Sequence, residues 1–76
     1  MKKLLEYLVS SIVNYPKDIS VTEKEENKYF NLIIKVHPND LKIIIGKNGQ
    51  TIKAIRELVK IKAILKRKNI NIAIEE

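Results

Sequence analysis

Two glycines, Gly46 and Gly49, are the only ones in the 76 residues, and they stand three positions apart with Lys47 and Asn48 between them. Glycine reaches positive φ without steric cost and lets another molecule come close to the backbone. The pair sits between two apolar-patterned segments that read as helices, so the loop feeds directly into a helix start. Unpaired N–H groups and the helix dipole favour an anion there. Lys47 adds a full positive charge. Together these features suit a phosphodiester backbone. Taken alone, a G-x-x-G could equally be the glycine cap of a tight helix–turn–helix.

The charge distribution points the same way. Net charge is +6, and between Lys42 and Lys68 nine basic residues face a single acid, Glu57. Glu23, Glu25 and Glu26 cluster elsewhere. A one-sided basic field favours a polyanionic partner, although lysine-rich surfaces also serve solubility. Catalytic chemistry finds no support. There is no cysteine, no metal-ligand spacing and no nucleophile–base pair. The one histidine, His37, sits beside Pro38 and reads as a strand-end residue. Neither enzymatic activity nor a cofactor is expected. No apolar run is long enough to cross a bilayer. Glu6 and Ser10 interrupt the first apolar stretch, so it does not read as a signal peptide, and a cytoplasmic location is expected.

The elements that must position the loop follow from hydrophobic periodicity. Leu4, Leu5, Leu8, Val9 and Ile12 recur at helical spacing, which predicts a helix over 2–14, stopped by Pro16. Ile19 and Val21 alternate with polar residues and predict a short strand. Residues 25–28 read as a polar turn. Phe30, Leu32, Ile34 and Val36 alternate as a second strand, antiparallel to the first across this short link. Pro38 is placed to open a helix, and Asp40 in its first turn suits the dipole. Leu41, Ile44 and Ile45 give that short helix its apolar stripe. After the glycines a longer helix runs from Gln50 to Lys66, with Ile52, Ile55 and Val59 on one face. Ile70, Ile72 and Ile74 alternate as a final strand. The helical crossover makes this strand a parallel neighbour of the second. The fold class is α+β, in the order α-β-β-α-α-β: one domain over 1–76, a three-stranded mixed sheet with three helices on one face.

In that setting the glycines are no longer isolated. The run Ile44-Ile45-Gly46-Lys47-Asn48-Gly49-Gln50-Thr51-Ile52-Lys53-Ala54-Ile55 resembles the I-G-x-x-G-x-x-I signature of KH domains. With the extra helix and strand placed first, the order is that of the type II arrangement. The flanking stretches Lys3–Leu8, Asn14–Val21 and Val36–Leu41 also resemble the small bacterial single-KH family called KhpA, over essentially the whole chain. Lys42 departs from that family's frequent glycine early in the helix. The resemblance implies a low-specificity RNA chaperone or post-transcriptional regulator binding single-stranded RNA. It also implies links to cell elongation and envelope regulation, and a larger partner of the Jag (KhpB) type.

Residue roles follow from that resemblance. Gly46 and Gly49 would admit the sugar–phosphate chain and Lys47 would contact phosphate. Asn48, Gln50 and Thr51 would complete the polar loop. Ile45, Ile52 and one or more of Ile70, Ile72 and Ile74 would floor an apolar groove, and Lys53 and Arg56 would line its rim. Lys60, Lys62 and residues 66–68 are read as a solvated helix end. A second apolar stripe on the long helix, Ala54, Leu58, Ile61 and Leu65, faces away from the first and predicts an interface in a homodimer or with the Jag-type partner. Two other readings remain open: a helix–turn–helix that binds duplex DNA, and an assembly subunit whose RNA contacts are incidental.

Overall fold

The computed structural model describes residues 1–75. Helix α1 spans Lys2–Ser10, strand β1 Ser20–Glu26 and strand β2 Tyr29–Lys35. Helix α2 is a short Leu41–Ile45, α3 spans Gln50–Leu65 and β3 spans Asn69–Glu75. The sheet order is β1-β2-β3. β1 and β2 are antiparallel, from Ser20 opposite Lys35 to Glu26 opposite Tyr29. β2 and β3 are parallel, from Tyr29 beside Asn69 to Lys35 beside Glu75. This is the expected mixed sheet, and the helices share one face of it. Val21, Leu32, Ile34 and Ile72 point from the sheet into a core closed by Leu5 and Val9 of α1, Ile44 of α2, and Ile55 and Val59 of α3. Full burial of a side chain of this size contributes ~1.5–3 kcal/mol, so this one layer supplies most of the drive to fold.

Three boundaries differ from the sequence reading by two or more residues. α1 stops at Ser10 rather than at residue 14. The Ser10 and Ser11 hydroxyls donate to the Tyr7 and Leu8 carbonyls at 3.0 and 2.7 Å, a local alternative to continuing the helix. Ile12, expected on its apolar face, lies beyond the helix and is exposed. Next, β1 runs through Glu26, so the turn is only Asn27 and Lys28. Asn27 supplies the positive φ, 50°, that a two-residue hairpin needs. Lastly, Pro38–Asp40 form a single 3-10 turn, and α2 begins only at Leu41.

Asp40 is therefore not a surface charge tuned to a helix dipole. It is fully buried, and its two carboxylate oxygens accept the backbone N–H groups of Asn14 and Tyr15 at 3.1 and 2.9 Å. A buried carboxylate without such partners would be costly. Here it pins the segment after α1 to the start of α2. Beside it, the Tyr15 ring stacks on His37 with centroids 4.1 Å apart. His37 Nδ1 accepts from the Asn39 N–H at 3.1 Å, which is a strand-end role.

Candidate nucleic-acid interface

α2 closes with the Gly46 N–H donating to the Lys42 carbonyl at 2.9 Å. Gly46 has φ 75° and ψ 176°, a region that residues with a Cβ adopt only under strain. Space forbids a side chain as well, since a Cβ would lie 2.1 Å from Thr51 Oγ1 and 2.8 Å from the Thr51 backbone nitrogen. Gly46 is thus required by the fold, because it lets the loop close against the first turn of α3.

Gly49 is different. Its φ of 73° and ψ of 13° are left-handed, but this chain accepts that region without glycine elsewhere. Asn27, Asn48 and Arg67 all have φ of 50–57°. Arg67 even fills the left-handed position that ends α3, where the Arg67 N–H donates to the Ile64 carbonyl and the Lys68 N–H to the Ala63 carbonyl, both at 2.9 Å, the usual place for glycine. Nothing lies within 4 Å of where a Gly49 Cβ would be. Packing does not account for glycine there, the left-handed backbone costs a residue with a Cβ only ~1–2 kcal/mol, and the missing side chain leaves open space in front of the backbone.

Between the glycines, Lys47 and Asn48 are exposed, and the Gly49 N–H donates to the Gly46 carbonyl at 3.3 Å. α3 starts at Gln50 with no side chain capping it. At ~100° per residue, α3 presents three faces. Ile55, Val59 and Ala63 are buried. Arg56 and Lys60 lie on the flank toward β3, and the Arg56 Nη2 donates to the Ile72 carbonyl at 3.5 Å. The third face carries Ala54, Leu58, Ile61 and Leu65. The last three are 51%, 59% and 80% exposed, so α1 does not cover them.

The structure brings Ile45, Gly46, Gly49, Thr51 and Ile52 together as half-buried residues around the loop, with Lys47, Asn48, Gln50, Lys53 and Arg56 exposed around them. Ile70 and Ile74 are half-buried, whereas Ile72 is buried at 8% and belongs to the core rather than to a groove floor. Lys68 is not a solvated helix end. Its Nζ donates to the Asn27 carbonyl at 2.7 Å, pairs with Glu25 at 3.7 Å and lies 5.7 Å from the Phe30 ring centroid. It ties the end of α3 to the β1–β2 hairpin. Tyr29, Lys60, Ile64 and Asn69 line a pocket together with Arg56, Lys68 and Ile70, a grouping that no spacing along the chain announces. Their meeting depends on the parallel register that sets Tyr29 beside Asn69. Among the described residues no cluster of acids and histidine could hold a metal ion, and no helix is long and apolar enough to cross a membrane.

A G-x-x-G turn between two helices, in a β-α-α-β core preceded by a helix and a strand, defines a type II KH domain. Solved structures share this fold. A crystal structure of Aquifex aeolicus Era superposes with a TM-score of 0.71 over 97% of this chain and 30% of that one, at 21% identity. Era in complex with MgGDPNP and nucleotides 1506–1542 of 16S ribosomal RNA gives the same TM-score at 22% identity, over 96% of this chain and 29% of that one. A family profile described as KhpA/KhpB, KH domain, matches residues 2–75, and the chain belongs to that family. It is 39% identical to the RNA-binding protein KhpA of Clostridium perfringens over 97% of this chain and 99% of that one. It is 33% identical to the protein of the same name from Lactiplantibacillus plantarum, over 100% and 89%. The one from Oceanobacillus iheyensis is 44% identical over 78% and 79%. The family is one of KH-domain proteins and not of enzymes.

Proposed function

We propose that this chain is one KH domain, over 1–76, that binds single-stranded RNA across its glycine loop. The observation that carries the reading is Gly49, a left-handed glycine whose side-chain position opens onto solvent. There a sugar–phosphate chain can approach the backbone, and KH loops of this type clamp four nucleotides. Lys47 then meets phosphate, and Asn48, Gln50 and Thr51 add polar contacts. Ile45 and Ile52, with Ile70 and Ile74 opposite, floor the groove, and Lys53 and Arg56 form its rim. The relatives named RNA-binding protein KhpA and the Era complex with ribosomal RNA support RNA as the polymer. A short footprint read mainly through the backbone gives low selectivity. That fits a cytoplasmic RNA chaperone or post-transcriptional regulator, with the family's link to cell elongation and the envelope as its setting.

The test sets single-stranded RNA against duplex DNA at equal salt. Single-stranded RNA is expected to bind more tightly, and log affinity should fall linearly with log salt. The slope is about −0.7 per phosphate contact, so roughly −2 to −3 for three or four contacts. Preference for duplex DNA would favour the helix–turn–helix reading, and salt-independent binding would leave the basic flank a solvated surface.

The exposed third face of α3 supports a second element of the proposal, a two-fold homodimer through Ala54, Leu58, Ile61 and Leu65, or the same contact with a Jag-type partner. An apolar stripe this exposed on a small domain marks an interface. Pairing two weak RNA sites would raise avidity. Ile61→Asp is expected to give a folded monomer with weaker binding to long RNA. Sedimentation of the wild-type protein as a monomer at roughly tens of micromolar, a range suited to weak dimers, would speak against it. So would a dimeric Ile61→Asp protein.

A further inference from the structure

Between the end of α3 and the start of β3 lies a pocket of about 290 Å³ lined by Tyr29, Arg56, Lys60, Ile64, Lys68, Asn69 and Ile70. Three cations, an aromatic ring and two aliphatic side chains converge there. The Tyr29 side chain is 46% exposed and Ile64 is 60% exposed. Ile64 does not belong to the interface stripe. On a helical projection it lies ~60° or more from Ile61 and next to Lys60, on the flank that faces β3. Among the described residues Lys60 has no ion-pair partner. Lys68 is held by Asn27 and Glu25, so its charge is partly offset.

The pocket lies on the same flank of α3 as the proposed groove, beyond the reach of the loop. Arg56 links the two, since it lines the pocket and is assigned above to the rim of the proposed groove. Lys60 is eleven residues beyond Gly49, ~16 Å along the helix axis, and Ile64 is ~22 Å along it. We propose that this pocket is a further nucleotide subsite, which takes one unpaired nucleotide of the strand held at the glycine loop, its base against Tyr29 and Ile64 and its phosphate at Lys60. The proposal rests on the RNA-binding reading above and extends it. Single strands are held by a basic track with a stacking platform. The loop supplies the first of these and has no aromatic residue beside it. Tyr29 supplies the second, at the far end of the same flank. The length of strand bound is then longer than the four nucleotides a glycine loop clamps.

The experiment is a titration of oligouridylates of four to eight nucleotides into labelled protein, followed by amide shifts. The four-nucleotide RNA is expected to shift the loop and groove residues and to leave Lys60 and Asn69 unmoved. Six or more nucleotides should also shift Lys60 and Asn69, with affinity at least fivefold tighter, the lower end of what stacking one base contributes. Tyr29→Ala should remove that gain and leave four-nucleotide binding within about twofold. Lys60→Gln, on an exposed helix position, should remove part of it even if the tyrosine variant folds poorly. Affinity that stops rising at four nucleotides, or a gain that survives both variants, overturns the subsite while leaving the loop reading intact. An acidic peptide that shifts the pocket when six nucleotides do not would overturn it as well. Absence of RNA binding at every length would overturn both readings.

Discussion

Gly46→Ala is expected to lose most of the stability of this domain, whereas Gly49→Ala is expected to keep the fold and lose RNA. The first places a methyl group 2.1 Å from Thr51 Oγ1 and 2.8 Å from the Thr51 backbone nitrogen. It also forces a Cβ residue into a φ/ψ region that costs on the order of 1–3 kcal/mol. Strain and overlap together should exceed about 3 kcal/mol. In a domain of this size each kcal/mol moves the melting temperature by about 4–8 °C, so a fall of at least about 12 °C is expected in a circular-dichroism melt. Gly49→Ala meets no neighbour and carries only a left-handed alanine, ~1–2 kcal/mol. Its methyl group occupies the space through which RNA would approach, so affinity should fall at least about fivefold, ~1 kcal/mol. Gly49→Ala protein that binds RNA like wild type would remove the main support for the site. A Gly46→Ala protein that melts normally would mean that the loop can rearrange.

The second large effect concerns charge. Lys47→Asp with Asn48→Asp puts two carboxylates in the phosphate path while both glycines stay. Both positions are exposed, and aspartate tolerates the left-handed conformation of Asn48 (φ 57° and ψ 29°). The melting transition should hardly move. RNA affinity should fall at least tenfold, equivalent to ~1.4 kcal/mol. Equal affinity in the folded double variant would mean that the strand is held somewhere other than the loop.

Much of this arrangement is legible in the sequence because it is local. Alternation in 29–36 and 69–74, helical spacing in 2–9 and 50–65, and two glycines between helices yield the element order, the hairpin and the parallel partner of β2. What stays hidden depends on contacts distant in sequence. Nothing near Asp40 announces that its carboxylate will bind Asn14 and Tyr15, which is why it reads as a helix-start charge. Lys68 reads as a solvated lysine until the hairpin brings Asn27 and Glu25 to it. The glycines look equivalent on paper. Only the position of Thr51 separates one needed for closure from one facing open space. Ile64 could have been set apart from the Leu58–Ile61–Leu65 stripe by helical angle alone, but its neighbours Tyr29 and Asn69 could not.

The parallel pairing of β2 and β3 also sets an order of assembly. β1 and β2 are joined by two residues, and hairpins of that kind form in ~1–10 μs. β3 reaches β2 only after residues 36–68, with α2 and α3, have been brought round. Long-range parallel pairing of this sort is slow because loop-closure entropy is lost before any contact repays it. Helix α3 and strand β3 would form the two walls of the proposed groove, and they come together in that same long-range closure. The glycine turn can exist in a partly folded chain; the groove beside it cannot. Closing the long-range β2–β3 pairing and completing the proposed binding surface are thus one event.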